Sequence, residues 1–446
     1  MQPLTIQSFE VRVKPIWRSA IFLALLAAPC ILLSIQAVRV GAAETVAQNP
    51  TAAQLRRAEW LDPANDRIER LLGSVLCTAE DPNMPEAQSH LRRAIQLGPN
   101  KALNWSALAS ACDLVSDNRC ADEAYARAVE IAPMTPASEW AAANHYLVSN
   151  RPDQAISHFS RLLKLDPGYD WQTFRVCIRA TGDPDAVYQN LVAPLNDTRL
   201  NVSFVNYLSS EREMDAAAHA WKATMAHPAT FTLEAADPYL ERLLEVGQGQ
   251  AALKVWQDME RLGVVAQDNF ARSNNLIFNG GFEQTPLNAG LDWRVFSVAY
   301  MFIDFSDTAA HSGKQCLRID FTVPRNDEFL ATYQLVPVNP DTNYALEAYV
   351  RSQNITSDSG PRLRVMDPVC PSCLNVMTDT TVDSKPWHKI TLPFSTGPDT
   401  QLVNLALVRP RSRAYPMEIT GSFWLDDVTL TSVGPAGQAK AVPTGQ

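Results

Sequence analysis

Basic residues are in deficit. The 446-residue chain carries 38 Lys and Arg against 48 Asp and Glu, a net charge of −10, whereas nucleic-acid binding needs a basic footprint. Nucleic acid is therefore not an expected partner. No run of like charge is long enough to mark a disordered tail. The conventional catalytic signatures are also missing: there is no HExxH, GxSxG or GxxxxGK[ST], and the seven His show no zinc spacing. Asp and Glu are plentiful but no pair stands out, so the chain is read as not an enzyme. The Cys pair in "VCPSC" (369–373) is too small a set for a closed zinc site. A redox CxxC opens a helix, where the thiol pKa falls. The surrounding "RVMDPVCPSCLNVMT" reads instead as a loop between strands, so Cys370 and Cys373 are expected to form a local disulfide.

One long apolar run is present. "SAIFLALLAAPCILLSIQAV" (19–38) has no charged residue and follows Arg12, Lys14 and Arg18. Twenty residues at 1.5 Å rise cover the ~30 Å hydrocarbon core of a bilayer. The expectation is a cytoplasmic N-terminus (1–18), an uncleaved single-pass membrane anchor (19–40) and a linker (41–52). The alternative is a signal segment cleaved after "GAA" at 41–43. Positive charge on the amino side leaves the bulk of the chain outside the cytoplasm, periplasmic or extracellular. Cys30 lies in the apolar run, so seven of the eight Cys remain and at least one is unpaired. In an oxidising space Cys112 and Cys120 are expected to bond; two buried thiols are the alternative.

After the apolar run the sequence repeats itself. Ala87, Ala121 and Ala155 are 34 residues apart, as are Leu91, Tyr125 and Phe159, and again Pro99, Pro133 and Pro167. A 34-residue period marks a helix–turn–helix array. The Ala lets paired helices approach, the large residue fills the space between neighbours, and the Pro stops the helix. The pattern resembles the tetratricopeptide repeat (TPR). One unit has Trp105, Leu108, Ala109, Cys112 in place of the usual Tyr, then Ala121, Tyr125, Ala128 and Pro133. The next keeps Ala142, Ala143, Tyr146, Ala155, Phe159 and Pro167 but has Glu139 where the Trp belongs. The first has Leu72 and Gly73, with two extra residues in its turn. Further hairpins are read at 205–228 and 239–263, giving an all-α solenoid over 53–270 of about ten or more helices. The resemblance implies a concave groove for peptide segments of a protein partner. Ser106, Ser110, Asp113, Trp140 and Asn144 fall on that face; a merely solvated groove is the alternative.

Past "ARSNN" short alternating runs with turn residues between them indicate an antiparallel β-sandwich over 274–433, followed by a flexible tail (434–446). "NLIFNGGFE", "HSGKQCLRI" (311–319), "YQLVPVNPDTNYALEAYVRS" (333–352), "WHKITLPF" (387–394) and "GSFWLDDVTL" (421–430) resemble the carbohydrate-binding modules of the family 4, 9 and 22 group. The resemblance implies a galactose-binding-like jelly roll. Sugar recognition needs a flat aromatic face with planar polar groups. Trp293, Tyr300 and Trp387 are the candidate platforms, with Arg351 and Asn404 as hydrogen-bonding company; core packing is the alternative for each ring. Phe302 is a further candidate ring. The resemblance also implies a structural calcium joining Glu283 to Asp426 or Asp427. Alternation places Trp424, Asp426, Val428 and Leu430 on one face, and a buried carboxylate there needs a partner. Calcium provides one; backbone amides are the alternative.

Together these imply a membrane-anchored, extracytoplasmic, non-catalytic adaptor with a protein-binding solenoid and a glycan-binding sandwich. By domain analogy it belongs in bacterial cell-envelope or exopolysaccharide assembly or export. The alternatives are an accessory subunit of a carbohydrate-active enzyme, or a structural scaffold whose sandwich has lost its ligand.

Overall fold

The computed structural model describes residues 16–48, 50–266, 274–296, 298–306 and 309–436. Residues 1–15 of the expected N-terminus, residues 267–270 of the solenoid and most of the expected tail lie outside them. The chain divides into two compact units, Met1–Thr173 and Phe174–Gln446.

The first unit begins with α1 (Ile16–Val46) and α2 (Ala52–Leu61). Its Ala20–Val46 stretch, which contains an 18-residue window of mean hydropathy 2.4, is long and apolar enough to cross a membrane, and large side chains from Ile21 to Val38 are exposed. The helix continues through the first half of the expected linker. Ala43 and Ala47 are buried there, and Glu44 pairs with Arg67 and accepts from Asn65.

Three hairpins follow: α3 (Asp66–Cys77) with α4 (Met84–Leu97), α5 (Ala102–Leu114) with α6 (Asn118–Ile131), and α7 (Pro136–Val148) with α8 (Pro152–Leu165). Asn65, Asn83 and Asp117 cap α3, α4 and α6 with side-chain oxygens, serving backbone N–H groups that have no partner inside the helix. Ala87, Ala121 and Ala155 are buried, as are Leu91, Tyr125 and Phe159. Gly73 shows how close the helices come: a Cβ there would sit 2.6 Å from Leu91 Cγ and 2.9 Å from the Ala87 carbonyl.

The departures from the repeat are compensated across each hairpin. Glu69 and Glu139 stand where the middle hairpin has Trp105. Both are buried, and each bonds a His on the facing helix: Glu69 to His90 at 2.7 Å and Glu139 to His158 at 2.6 Å. Opposite Trp105 the corresponding residue is the small Ala124. A Trp–Ala pair has been exchanged for a Glu–His pair, which satisfies the carboxylate that burial would otherwise penalise.

The second unit contains α9 (Asp170–Thr181, which straddles the division), α10 (Pro184–Val187), α11 (Thr198–Ser210), α12 (Met214–Met225), α13 (Leu233–Glu245) and α14 (Gly249–Leu262). Its strands are β1 (Arg294–Val295), β2 (Met301–Ser306), β3 (Cys316–Arg325), β4 (Phe329–Pro337) and β5 (Thr342–Ile355). Then come β6 (Arg362–Met366), β7 (Asn375–Met377), β8 (Asp383–Ser395), β9 (Leu402–Arg409) and β10 (Ile419–Pro435). They form two antiparallel five-stranded sheets, β1-β4-β9-β6-β7 and β2-β3-β10-β5-β8. Leu317, Ile319, Val350 and Leu425 of one inner face meet Val336, Val365, Leu405 and Leu407 of the other, with Phe282 and Trp293 in the same core. The strand β10 extends to Pro435, beyond the expected start of the tail.

The last helices pack directly on the sandwich. A Cβ on Gly249 would lie 2.0 Å from the Gln401 carbonyl, Gln250 donates to the Val338 carbonyl at 3.0 Å, and Trp256 meets Phe278 edge-on at 5.1 Å. Glu241 pairs with Arg294 and accepts from the Gly290 N–H at 3.0 Å. Helix and strand alternate at a point between Leu262 and Arg294, yet these contacts keep α11–α14 and the sandwich in one compact unit.

Candidate functional site

In the first unit Ser110, Asp113, Trp140 and Asn144 line one pocket of about 560 Å³, together with Tyr125, His145 and Val148. Ser106 is not among its lining residues, and its hydroxyl is closed off from solvent without a partner. The pocket floor is a polar network. Asp113 is bonded to His145 Nδ1 at 2.6 Å and accepts from Tyr125 at 3.0 Å. Asp122 meets His145 Nε2 at 2.7 Å and takes both guanidinium ends of Arg151, at 2.7 and 2.8 Å. The Arg151 bonds, with His145, hold the Asp122 carboxyl below the usual carboxylate range despite partial burial. Burial pushes the Tyr125 phenol up to about 12, so it stays a neutral donor. Asn144 turns its amide back to the Trp140 carbonyl at 2.7 Å, and Trp140 rests on Phe159 and Tyr169. The sequence pattern located part of the pocket lining but missed Tyr125 and His145, which also line it, and Asp122 and Arg151, which bond to His145 outside the lining. Cys112 and Cys120 form a disulfide joining α5 to α6.

The five sugar candidates separate. Trp293 is fully buried, against Phe282, with its indole N–H on the Asn279 carbonyl; it is a core residue and no platform. Tyr300 lies partly against the core with Arg325 5.0 Å over its ring. It precedes β2, while Trp387 bonds to Ala309 beyond the other end of β2. Asn404 lies on β9 in the opposite sheet from Arg351, on the sheet whose β4 packs against α14, and its Oδ1 is closed off without a partner.

Arg351 and Trp387 do come together. They line a shallow depression of about 490 Å³ on the β5–β8 side, with Lys385 and Gln353. Across that outer face Arg318, Trp424 and Arg351 stand in register, and the two guanidinium groups lie 5.5 and 4.7 Å from the Trp424 ring. His311 stacks on Tyr349 at 3.7 Å and meets Trp387 edge-on at 5.6 Å. Sequence reasoning missed Trp424, Tyr349 and Lys385. The alternation of Tyr349, Arg351 and Gln353 against buried Val350 was the available signal.

The last strand departs from plain alternation. A bulge between Asp426 and Thr429, with Asp427 at φ +49°, interrupts the register. Phe423, Leu425, Val428 and Leu430 therefore share the core, while Trp424 and Asp426 face outward, so Trp424, Asp426, Val428 and Leu430 do not form one face as alternation predicts. Asp426 is nonetheless covered by the 311–312 turn, accepting from His311 N at 2.8 Å and Ser312 N at 3.2 Å. Burial raises its carboxyl above the usual range. Asp427 is bonded to His311 Nδ1 and Ser312 Oγ, each at 2.6 Å, and Glu283 accepts from Lys314 N at 2.7 Å. Among the described residues only Glu59, Glu69 and His90 bring three metal-type donor atoms within 4.8 Å of one another. Glu283, Asp426 and Asp427 thus have N–H and O–H donors where a calcium cage needs converging free oxygens, and they do not fit the ion in this arrangement. Cys370 and Cys373 form a disulfide in the loop between β6 and β7.

No protein-family profile and no curated protein matches the chain. Solved structures are similar to parts of it. PilF of Pseudomonas aeruginosa is 14% identical, covering 51% of this chain and 92% of its own, with a TM-score of 0.28. YrrB, described as a TPR protein with an unusual peptide-binding site, is 12% identical over 48% of this chain and 93% of its own, with a TM-score of 0.25. TmCBM61, solved in complex with beta-1,4-galactotriose, is 18% identical over 35% of this chain and 98% of its own, with a TM-score of 0.24. TPR proteins are thus among the neighbours of the helical part, and carbohydrate-binding modules are among those of the sheet part.

Proposed function

We propose that the chain is a membrane-anchored, extracytoplasmic, non-catalytic adaptor, which holds a protein segment in the α5–α7 pocket and a glycan on the outer face of the β2-β3-β10-β5-β8 sheet. The supporting observation is the juxtaposition of Trp387 and Arg351 at one depression, with His311 and Tyr349 beside it. Sugar rings offer a flat C–H face to an aromatic side chain and hydroxyls to planar donors, and that pairing is available here at the surface. α1 supports the anchor, since its exposed apolar length suits a bilayer. Buried Ala43 in its last turns, and Glu44 paired with Arg67, tie it to the helical unit. A role in assembling or exporting envelope polysaccharide suits a protein with both surfaces.

The test is a glycan array probed with the full chain in mild detergent. Binding to a restricted set of glycans, lost in Trp387→Ala with an unchanged melting curve, is the expected result. An empty array with folded protein removes the glycan half of the proposal.

A further inference from the structure

We infer that the glycan held beside Trp387 is an acidic one, read through a carboxylate on its sugar; this rests on the glycan reading above and goes on to name the ligand class. The protein as a whole is acidic, at net −10, yet the lining of this depression contains Arg351 and Lys385 and no carboxylate. Elsewhere on the same sheet basic residues are already matched. Arg318 pairs with Asp320 at 3.0 Å and Lys389 with Glu347 at 2.7 Å. Among the described residues, no carboxylate lies within 4.0 Å of Arg351 or Lys385, and neither cationic head has a hydrogen-bond partner.

Both cations line the same depression. Lys385 is paired in register with Ser352, the residue after Arg351, so it stands at the sheet edge beside Arg351's strand and not directly across from the guanidinium. The Arg351 guanidinium carbon lies 4.7 Å from the Trp424 ring centroid, a cation–π contact that holds the group beside the depression. A planar fork of donors matches a carboxylate in two parallel hydrogen bonds, a geometry a lone ammonium does not offer. Trp387 adds an aromatic wall within the same depression. A hexuronate presents both features a few ångströms apart: a C–H ring face for the indole and a carboxylate for the guanidinium. Sulfated sugars offer the same charge on a tetrahedral group, so they form the competing source of the anion.

The test uses the full chain in mild detergent and a panel of uronate oligosaccharides. Each is paired with its carboxyl-reduced counterpart, which keeps the ring and removes the charge, and sulfated neutral-backbone oligosaccharides form a third arm. At least one uronate should bind about tenfold or more tighter than its reduced partner, with affinity falling as salt rises. Arg351→Gln and, separately, Lys385→Gln should each reduce that ratio severalfold; the exposed lysine serves as the check if the arginine variant is poorly folded. Equal or tighter binding of the reduced partners overturns the acidic inference while leaving glycan binding intact. Binding confined to the sulfated arm overturns the carboxylate assignment. Failure of all three arms with folded protein overturns the glycan reading itself.

Discussion

Replacing Gly73 by Ala sets two known effects against each other. Ala is the better helix former by ~1 kcal/mol in a helix interior, so propensity alone predicts stabilisation. The structure places the new methyl 2.6 Å from Leu91 Cγ, 2.8 Å from Leu91 Cδ2 and 2.9 Å from the Ala87 carbonyl. Leu91 is fully buried and cannot swing into solvent, and the carbonyl belongs to the backbone of α4. Overpacking of this kind costs ~1–3 kcal/mol, so the net expectation is a loss of about 1 kcal/mol. For a unit of this size that corresponds to a fall in Tm of roughly 2–4 °C. The assay is thermal denaturation of the full chain followed by far-ultraviolet circular dichroism. Gly41→Ala is the control, because a Cβ there meets nothing within 4 Å. If Gly73→Ala stabilises the chain as much as Gly41→Ala does, the close helix contact is refuted.

Further outcomes are expected. Asp122 is held below the ordinary Asp value of 3.8 by Arg151 and His145. Stability from that network is therefore complete above pH 3.8 and lost as pH falls below it; Arg151→Met should lower Tm at pH 7 more than at pH 3, and an equal drop at both would deny the linkage. Burial raises the thiol pKa of Cys77, and those of Cys177 and Cys316 to about 12, so iodoacetamide should modify these three only after denaturation, as read by peptide mass spectrometry. Chelators should leave the melting curve unmoved, because N–H donors already serve Asp426 and Glu283; a Tm recovered by calcium and not magnesium would restore the calcium expectation. A photo-crosslinker at Val148, 88% exposed on the rim of the α5–α7 pocket, should trap one discrete protein partner in cells. Unselective adducts would leave the pocket without a role.

The repeats were legible because their determinants are local. A small residue, a large apolar one and Pro recur at fixed spacing, and each acts within its own hairpin. The exchange of Trp105 for Glu139 was visible as a departure, but its meaning lay in His158, nineteen residues on and across the hairpin. In the sandwich the alternating runs announced the strands, while the role of each aromatic depended on which side of the sheet it faced. Trp293 lies in the approach to β1, outside any long alternation, so nothing in the local pattern revealed that it fills the core. The bulge at Asp427 shifted the face of Val428 and Leu430, which plain alternation cannot anticipate. The packing of α14 against the sandwich was likewise hidden, since it depends on Gly249 meeting Gln401 and Trp256 meeting Phe278, contacts remote in sequence.

The most direct measurement of the central claim is a binding isotherm of the best array glycan to the full chain and to Trp387→Ala, run side by side with their melting curves. Saturable binding by the parent chain, weakened tenfold or more in the variant at unchanged Tm, is the predicted result. Equal affinity in both proteins would contradict the placement of the glycan on this face of the sandwich.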